Sequence, residues 1–423
     1  MIKEKIHTSK YTDNKSIIGV GTFKFFNVIA SSLIKSFGSI FIYINSGKLW
    51  HVFFYLALYA FIQISSNLLG TKLFSNRPKL SLILRTIPFL LLYSLFFIKI
   101  NALMFTIILS IGNGLINSFY FAPMDNIIGS LKTAGKTKTQ SIIQFLEYVG
   151  IFLSTLIGGF VLDSVDAKLV GVVGVVLYLF ATIVFFFMYS PDATKEVETT
   201  NDLKVTDKNT NEKTVVRPAT ESVRKGAKTQ INDITKGKFN PFKKYYPWLT
   251  EGLVGIFTIL EVLWSVYTYI QVGSFAVIGI IKTVIVLGGL LGIAFIGKYS
   301  SKRNWKNFVL ISVLLVSAIW IVRPFLNIQL MYYLLAIIVG FLQQIIYVPL
   351  NSVYYKHYKD SKDKTRKLTQ KDGYRKLFAV PLSLMCMIIG SVSISIAILG
   401  GILGLAAFQI TPAYKDYEKD NDV

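Results

Sequence analysis

Four charged residues lie inside long apolar runs of the sequence: Lys35, Glu147, Glu261 and Lys282. A charge near the centre of a lipid bilayer costs at least about 2.5 to 3.5 kcal/mol on insertion scales. Each of these side chains therefore needs a partner or a wet cavity. Charged groups in such places bind ions, carry protons or contact a polar substrate, so these four are the first candidates for chemistry.

Two of the four charged residues share a predicted helix face with other polar residues. The first such face has members spaced by three and four residues, so they lie on one side of the helix: Lys24, Asn27, Ser31 and Lys35. Glu261 shares its face with three hydroxyl residues: Thr258, Ser265 and Thr268. The spacing therefore predicts one polar stripe on the helix of Lys35 and another on the helix of Glu261.

The composition places these helices in a membrane. The chain has 423 residues, 53% of them hydrophobic and 16% charged, with a mean hydropathy of +0.53, which is too apolar for a soluble protein of this size. The net charge of +22 comes from lysines between the apolar runs, where they set orientation and touch the anionic inner leaflet rather than nucleic acid. Cys386 is the one cysteine, and no metal site, cofactor or enzyme signature is predicted.

About 20 apolar residues span a bilayer as a helix, and this length gives twelve predicted spans: 18–45, 50–72, 80–98, 102–128, 139–163, 168–189, 248–271, 273–297, 307–325, 330–354, 374–391 and 393–412. Lys and Arg concentrate in alternate connections, which predicts that both termini are cytoplasmic. The outward connections carry few basic residues: Lys48, Lys99, Lys168 and Arg323. We expect two six-helix domains, 1–190 and 247–423, joined by a flexible cytoplasmic linker, 191–246.

The two halves repeat one another at an offset of 226 positions. GNGLINSFYFAPMDN (112–126) returns in altered form as GFLQQIIYVPLNS (340–352), and SIFIYINSG (39–47) returns as SVYTYIQVG (265–273). The matched positions include two glycines and two prolines: Gly114 with Gly340, and Pro123 with Pro349. An ungapped register of this length predicts two copies of one structural unit. Six spans in each copy give the two copies the same orientation.

This architecture resembles the major facilitator superfamily of secondary transporters. In that family the loop after the second helix reads G-x-x-x-D-R-x-G-R-R/K, whereas here it reads GTKLFSNRPK from Gly70 and GKYSSKRNWK from Gly297. Phe74 and Ser301 stand where the family has the acid that latches the inner gate. The basic residues remain, and the resemblance implies that they belong to that gate: Arg77 and Arg303.

The resemblance also implies a central cavity between the halves, at which two charge pairs are expected. Lys35 and Glu261 are equivalent by the offset and should lie at the same depth, so we expect them to pair when the outer side of the cavity is closed. The alternative is that Lys35 snorkels or bonds carbonyls in its own half. Glu147 is expected opposite Lys282, with the alternative that Glu147 carries a proton.

Polar and aromatic residues complete the expected site. Its other substrate-contacting or wall-forming members are Asn27, Ser31, Asn117, Trp264, Gln343 and Tyr347. Pro123 and Pro349 remove a backbone hydrogen bond near the cytoplasmic helix ends, so both should bend a gate. The spacing of small residues in 150–159 matches the family's antiporter motif, although close helix packing explains it as well. The acidic pair in the loop at 163–166 is expected only to form a turn.

Together these features predict a multi-pass secondary active transporter of the cell membrane, which works by alternating access and is driven by protons carried on Glu147 or Glu261. A sugar, a small amphiphile or a zwitterion would suit the expected cavity, and we expect a monomer. The competing hypothesis is a membrane sensor or assembly factor that keeps the transporter fold and does not transport.

Overall fold

The computed structural model describes residues 2–121, 123–124, 127, 136–188, 241–299, 305–326, 328–358, 373 and 376–419. Across these ranges the secondary structure is helical. The first half of the described chain comprises α1 (Ile2–Ser46), α2 (Leu49–Asn76), α3 (Pro78–Leu84), α4 (Thr86–Ser94), α5 (Ala102–Ser118), α6 (Lys136–Ser164) and α7 (Ala167–Met188). The second half comprises α8 (Pro241–Val272), α9 (Phe275–Tyr299), α10 (Trp305–Val322), a 3₁₀ turn (Arg323–Phe325), α11 (Gln329–Tyr358), α12 (Ala379–Ile389) and α13 (Val392–Lys419).

The chain is a multi-pass membrane protein. Within the described residues, eight helices contain a stretch that is long and apolar enough to cross a bilayer: 17–46, 49–70, 145–164, 167–188, 255–272, 275–296, 307–325 and 329–348. Three shorter apolar helices accompany them, at 102–118, 379–389 and 392–407. Large apolar side chains on α7 face outward, as contact with lipid requires: Val172, Val176, Phe180, Ile183 and Phe187.

The sequence repeat is also a repeat of local structure. Gly47 and Gly273, 226 positions apart, end α1 and α8 with φ of 62° and 71°, a left-handed conformation that glycine adopts without strain. The N–H of Gly47 bonds the carbonyl of Tyr43 at 2.7 Å, and that of Gly273 bonds the equivalent Tyr269 at 2.8 Å. The same residue types at the same offset therefore end both helices in the same way.

A second pair of equivalent glycines repeats one helix contact. A Cβ on Gly114 would lie 3.2 Å from the carbonyl oxygen of Tyr59, and one on Gly340 would lie 2.0 Å from that of Ile285. Tyr59 and Ile285 are themselves 226 positions apart. The absence of a side chain thus lets α5 approach α2 and α11 approach α9 at equivalent points.

The halves meet mainly through three helix pairs, α1 with α8, α2 with α12 and α6 with α9. Glycines let α6 and α9 come close, since a Cβ on Gly159 would lie 2.7 Å from the carbonyl oxygen of Phe275 and one on Gly279 would lie 2.4 Å from that of Thr155. The small residues of α6 therefore make close helix contacts, as the packing interpretation of their spacing predicts.

The two equivalent prolines differ in their surroundings. Ahead of Pro123 the helix is interrupted, because α5 ends at Ser118 and the N–H of Tyr120 turns to the carbonyl of Asn117 at 3.1 Å. Around Pro349 the helix α11 continues to Tyr358. The predicted bend thus appears as a helix break in the first half only.

The break exposes carbonyls that the neighbouring helices satisfy. The carbonyl of Ile116 loses its helical donor and accepts instead from Nε of Arg85 at 2.9 Å. Pro123 has no N–H to give the carbonyl of Phe119, which accepts from the hydroxyl of Ser81 at 3.5 Å. A buried arginine therefore belongs to the structure of the broken helix.

Candidate functional site

A cavity of about 140 Å³ lies between the two halves, and two of the four predicted charges, Glu261 on α8 and Lys282 on α9, line it. Its walls come from α1 and α6 of the first half and from α8, α9 and α10 of the second. Hydroxyl and indole side chains supply most of the remaining polar atoms: Ser36, Thr155, Ser265, Thr268, Trp264 and Trp320. Relative movement of the halves would change the shape of this cavity.

Glu261 is held by groups of its own half. Its Oε1 accepts from Nε2 of Gln343 at 2.9 Å, and its charge interacts with that of Lys282. Gln343 lies on α11, so α8, α9 and α11 converge on one carboxylate. The structure therefore brings together four of the residues predicted for the site, since Trp264 lines the same cavity.

Lys35 and Glu261 lie at equivalent positions along their helices, but Lys35 does not have the predicted partner. Lys35 and Glu261 each stand eleven residues before the last residue of their helix, Ser46 and Val272. Among the described residues they form no ion pair with each other. The Nζ of Lys35 lies instead 5.5 Å from the ring centroid of Phe121. Glu261 instead accepts its hydrogen bond from Gln343 in its own half.

Glu147 also has a partner other than the predicted one. Nζ of Lys24 lies 2.6 Å from its Oε2, with the two side chains 11% and 25% exposed. Both residues belong to the first half, whose helices α1 and α6 pack together. At the level of Lys282, α6 instead meets α9 through the hydroxyls of Thr155 and Thr283, which are 3.1 Å apart.

Three predicted polar residues make hydrogen bonds inside the first half. The side-chain oxygen of Asn27 accepts from Arg85, the hydroxyl of Ser31 donates to the Val28 carbonyl at 3.4 Å, and the amide of Asn117 donates to the Tyr59 hydroxyl at 2.6 Å. Tyr347, in the second half, packs edge-on to Phe257 with ring centroids 5.5 Å apart. These contacts stabilise each half from within.

Of the predicted gate residues, Arg77 is exposed at the end of α2, where its N–H bonds the Leu73 carbonyl at 2.9 Å. Arg303 and the side chain of Pro349 lie outside the described residues. Pro123 is buried behind the break in the helix.

Two buried arginines that the sequence does not predict as site residues lie over aromatic rings. The guanidinium of Arg85 lies 4.5 Å from the ring centroid of Tyr120, and that of Arg323 lies 3.7 Å from that of Trp264. Both side chains are 0% exposed. The prediction that Arg323 is a loop charge was wrong. Its place beside Pro324 at the end of a span indicates a loop, whereas its contact with Trp264 on another helix depends on tertiary packing. The position of Arg85 inside the predicted span 80–98 does indicate a buried charge, as it does for the four charged residues named first.

Asp163 does more than form a turn, because it caps a helix of the other half. Its carboxylate accepts from the hydroxyl of Ser274 at 2.6 Å and from the N–H groups of Phe275 at 2.8 Å and Ala276 at 2.9 Å. These are the first donors of α9, where a negative charge is favourable. The carboxylate thus joins α6 to α9 at the end of the bundle that the sequence predicts to face outward.

We expect Asp163→Ala to loosen this end of the bundle. Loss of a capping side chain costs about 1 kcal/mol, which is about a fivefold change in the equilibrium between joined and separated ends. A cysteine at Ser36 in a Cys386→Ser background would report it as faster labelling by a membrane-impermeant maleimide applied from outside. Asp166→Ala is the matched control, because among the described residues the Asp166 carboxylate contacts only the nearby Lys168, through its N–H at 3.0 Å and its Nζ at 3.7 Å, and does not reach the other half. Equal labelling rates in the two variants would contradict the prediction.

Comparison with known proteins agrees with this architecture. The sequence profile of the Major Facilitator Superfamily matches residues 16–366. The search of curated proteins gave no match. A crystal structure of the peptide transporter POT, a mutant in complex with alafosfalin, superimposes with a TM-score of 0.62 at 11% sequence identity, covering 95% of both chains. At this low sequence identity, the similarity shows a shared fold and nothing about the substrate. The profile match, which extends over most of the sequence, shows that the chain belongs to the Major Facilitator Superfamily.

Proposed function

We propose that this secondary transporter moves a small molecule across the cytoplasmic membrane by alternating access. The observation that carries the proposal is the cavity with Glu261 and Lys282, whose walls come from both halves. If one half rocks against the other, such a cavity opens in turn to each side of the membrane. The peptide transporter with the same fold is consistent with a polar small-molecule substrate.

The proposal includes a topology of twelve spans with both termini in the cytoplasm, in a monomer. Its support is the offset of 226 positions, at which helix starts recur: Leu49 of α2 with Phe275 of α9, and, to within one residue, Ala167 of α7 with Val392 of α13. In this topology the carboxylate of Asp163 closes the outer side. The structure then corresponds to a state whose outer side is closed, and opening requires that α6 and α9 separate there.

Proton coupling is proposed with Glu261 as the carrier. Glu261 lines the cavity that a substrate would enter, whereas Glu147 is bound to Lys24 at 2.6 Å. A carboxyl group that alternates between Gln343 and the charge of Lys282 can bind and release a proton without leaving the cavity. Substrate and proton would then compete or cooperate at one place.

Gradient-driven accumulation in proteoliposomes tests the function. A panel of labelled peptides, sugars and organic acids would be offered to purified protein under an imposed pH gradient. We expect at least one compound to accumulate several-fold above its equilibrium level, and a protonophore to abolish that accumulation. Protein that is folded by thermal unfolding yet accumulates none of the panel would favour the non-transporting sensor or assembly factor.

A further inference from the structure

The charged side chains that are buried or half-buried among the described residues do not balance. Seven are cationic: Lys24, Lys35, Lys79, Arg85, Lys282, Arg323 and Lys376. Two are anionic: Glu147 and Glu261. Like charges repel more strongly in a medium of low dielectric constant than in water. Because the cations outnumber the anions, at least one cation has no counter-charge of its own among these residues.

Five of these cations have a nearby group that stabilises a positive charge, and Lys79 lies in the first turn of α3. Lys24 binds Glu147, and the negative charge of Glu261 favours that of Lys282. Three others lie over aromatic rings, which stabilise a cation: Arg85 over Tyr120, Arg323 over Trp264, and Lys376 over Tyr59 at 4.8 Å. The arginines are fixed in the walls of their own halves.

Lys35 is different. Among the described residues no group accepts a hydrogen bond from its Nζ, and its one ring contact, with Phe121, is at 5.5 Å. Its charge interacts with two like charges, Arg85 and Lys376, and with Glu147, which Lys24 already binds. An ammonium group has three donors to satisfy.

The backbone position of Lys35 argues against snorkelling. It stands eleven residues before the end of α1, which is about 16 Å along the helix axis. An extended lysine side chain cannot span that distance to the outer surface. Lys35 is half-buried, and the next residue of α1, Ser36, lines the cavity between the halves, so Lys35 lies beside the space that a substrate would enter.

We propose that Lys35 is the anion-binding group of the transport site and that the substrate is a small organic anion, whose carboxylate or phosphate binds Lys35 while its apolar part packs against Phe121. This inference rests on the proposed transport function. A cationic substrate would meet three like charges, and a neutral one would leave the ammonium of Lys35 without a counter-charge. The carboxylate of Glu261 accepts a hydrogen bond from Gln343 within the other half.

The same arrangement couples binding to movement. Lys35 belongs to the first half, and Lys376 to the second, just before α12. Their charges repel across the space between the halves. An anion bound at Lys35 offsets that repulsion, so the ligand binds more tightly to the conformation in which the halves are close, which is the condition for a ligand to shift the equilibrium.

Thermal unfolding of the purified full chain in detergent tests the proposal with a matched set of probes: benzoate and phenyl phosphate as anions, benzylamine as the cation and benzyl alcohol as the neutral compound. We expect the two anions to raise Tm and the other two compounds to leave it unchanged. In Lys35→Met the apparent affinity for the anions should fall at least tenfold, whereas Lys35→Arg should keep it. Lys99→Met, at an exposed position, controls for the loss of one positive charge.

The ligand-free protein gives a second measurement. Because Lys35 has no acceptor among the described residues, Lys35→Met should unfold at the same temperature as the wild type or above it. A lower Tm would mean that Lys35 stabilises the fold through a bond within the protein, and would overturn the proposal. So would anion binding that Lys35→Met leaves unchanged, or equal stabilisation by benzylamine or benzyl alcohol.

Two further results identify the anion and separate this inference from the proposed function. If phosphatidylglycerol added to the micelles stabilises the protein through Lys35 and the soluble anions do not, the bound anion is a lipid headgroup, and a soluble substrate is excluded. If anions bind through Lys35 but no compound accumulates along a gradient, the transport proposal is wrong and the anion-binding proposal stands. If a neutral or cationic compound accumulates and Lys35→Met does not change this, the anion-binding proposal is wrong and the transport proposal stands.

Discussion

Replacing Glu261 by glutamine should reduce the initial rate of proton-driven uptake about a hundredfold, a loss at the low end of the range for positioned proton-transfer groups. Glutamine has the same shape and can still accept a hydrogen bond from Gln343, but it cannot bind and release a proton, and it removes the negative charge beside Lys282. Exchange of labelled for unlabelled substrate across the membrane should survive, because it moves no net proton. The comparison of driven uptake with exchange in the same proteoliposomes therefore isolates the coupling step.

Glu147→Gln is the matched control for this prediction. Glu147 is bound by Lys24 outside the cavity lining, so its neutralisation should leave the ratio of driven uptake to exchange unchanged. If Glu261→Gln accumulated substrate as the wild type does, Glu261 would not be the carrier. A selective loss in Glu147→Gln would then assign the proton to Glu147.

Breaking the ion pair of Lys24 and Glu147 should have the largest effect on stability. Lys24→Met leaves a carboxylate without its cation, and removal of one partner of a buried pair costs about 3 kcal/mol, with the 25% exposure of Glu147 keeping the value at the lower end. The double variant Lys24→Met with Glu147→Leu should recover most of the loss, because an apolar pair needs no counter-charge. Denaturation by SDS, followed by tryptophan fluorescence, measures both changes.

An exposed ion pair provides the comparison. Lys168 and Asp166 lie 3.7 Å apart with side chains 58% and 63% exposed, and such pairs contribute about 0 to 1 kcal/mol. Lys168→Met should therefore shift the SDS midpoint little. A Lys24→Met variant no less stable than Lys168→Met would mean that water reaches Glu147 freely, and it would refute the buried pair.

The local features of the fold could be predicted from the sequence. Gly47 and Gly273 end their helices through bonds to residues four positions earlier, so the rule needs no knowledge of other helices. The equal depth of Lys35 and Glu261 follows from the same offset. The turn before α13 also lies where Gly390 permits it, with φ of 69°.

The partners of the charges could not be predicted, because they depend on which helix faces meet. The stripe of α1 predicts a polar face that includes Lys24, yet only the packing of α6 on that face decides that Glu147 binds Lys24 and not Lys282. The sequence predicts only a turn at Asp163 for a similar reason, since the donors it binds are more than a hundred positions away. Charge position is encoded locally, whereas charge pairing is a tertiary property.

The interruption ahead of Pro123 makes the two halves mechanically unequal. In the second half, α11 is one rod from Gln329 to Tyr358, so a push at either end is transmitted along its whole length. In the first half the equivalent helix is broken, and Arg85 contacts the break through the carbonyl of Ile116. If the halves rotate against each other, α11 would move as one rigid body, whereas the broken helix of the first half would take up part of the movement by bending at the break.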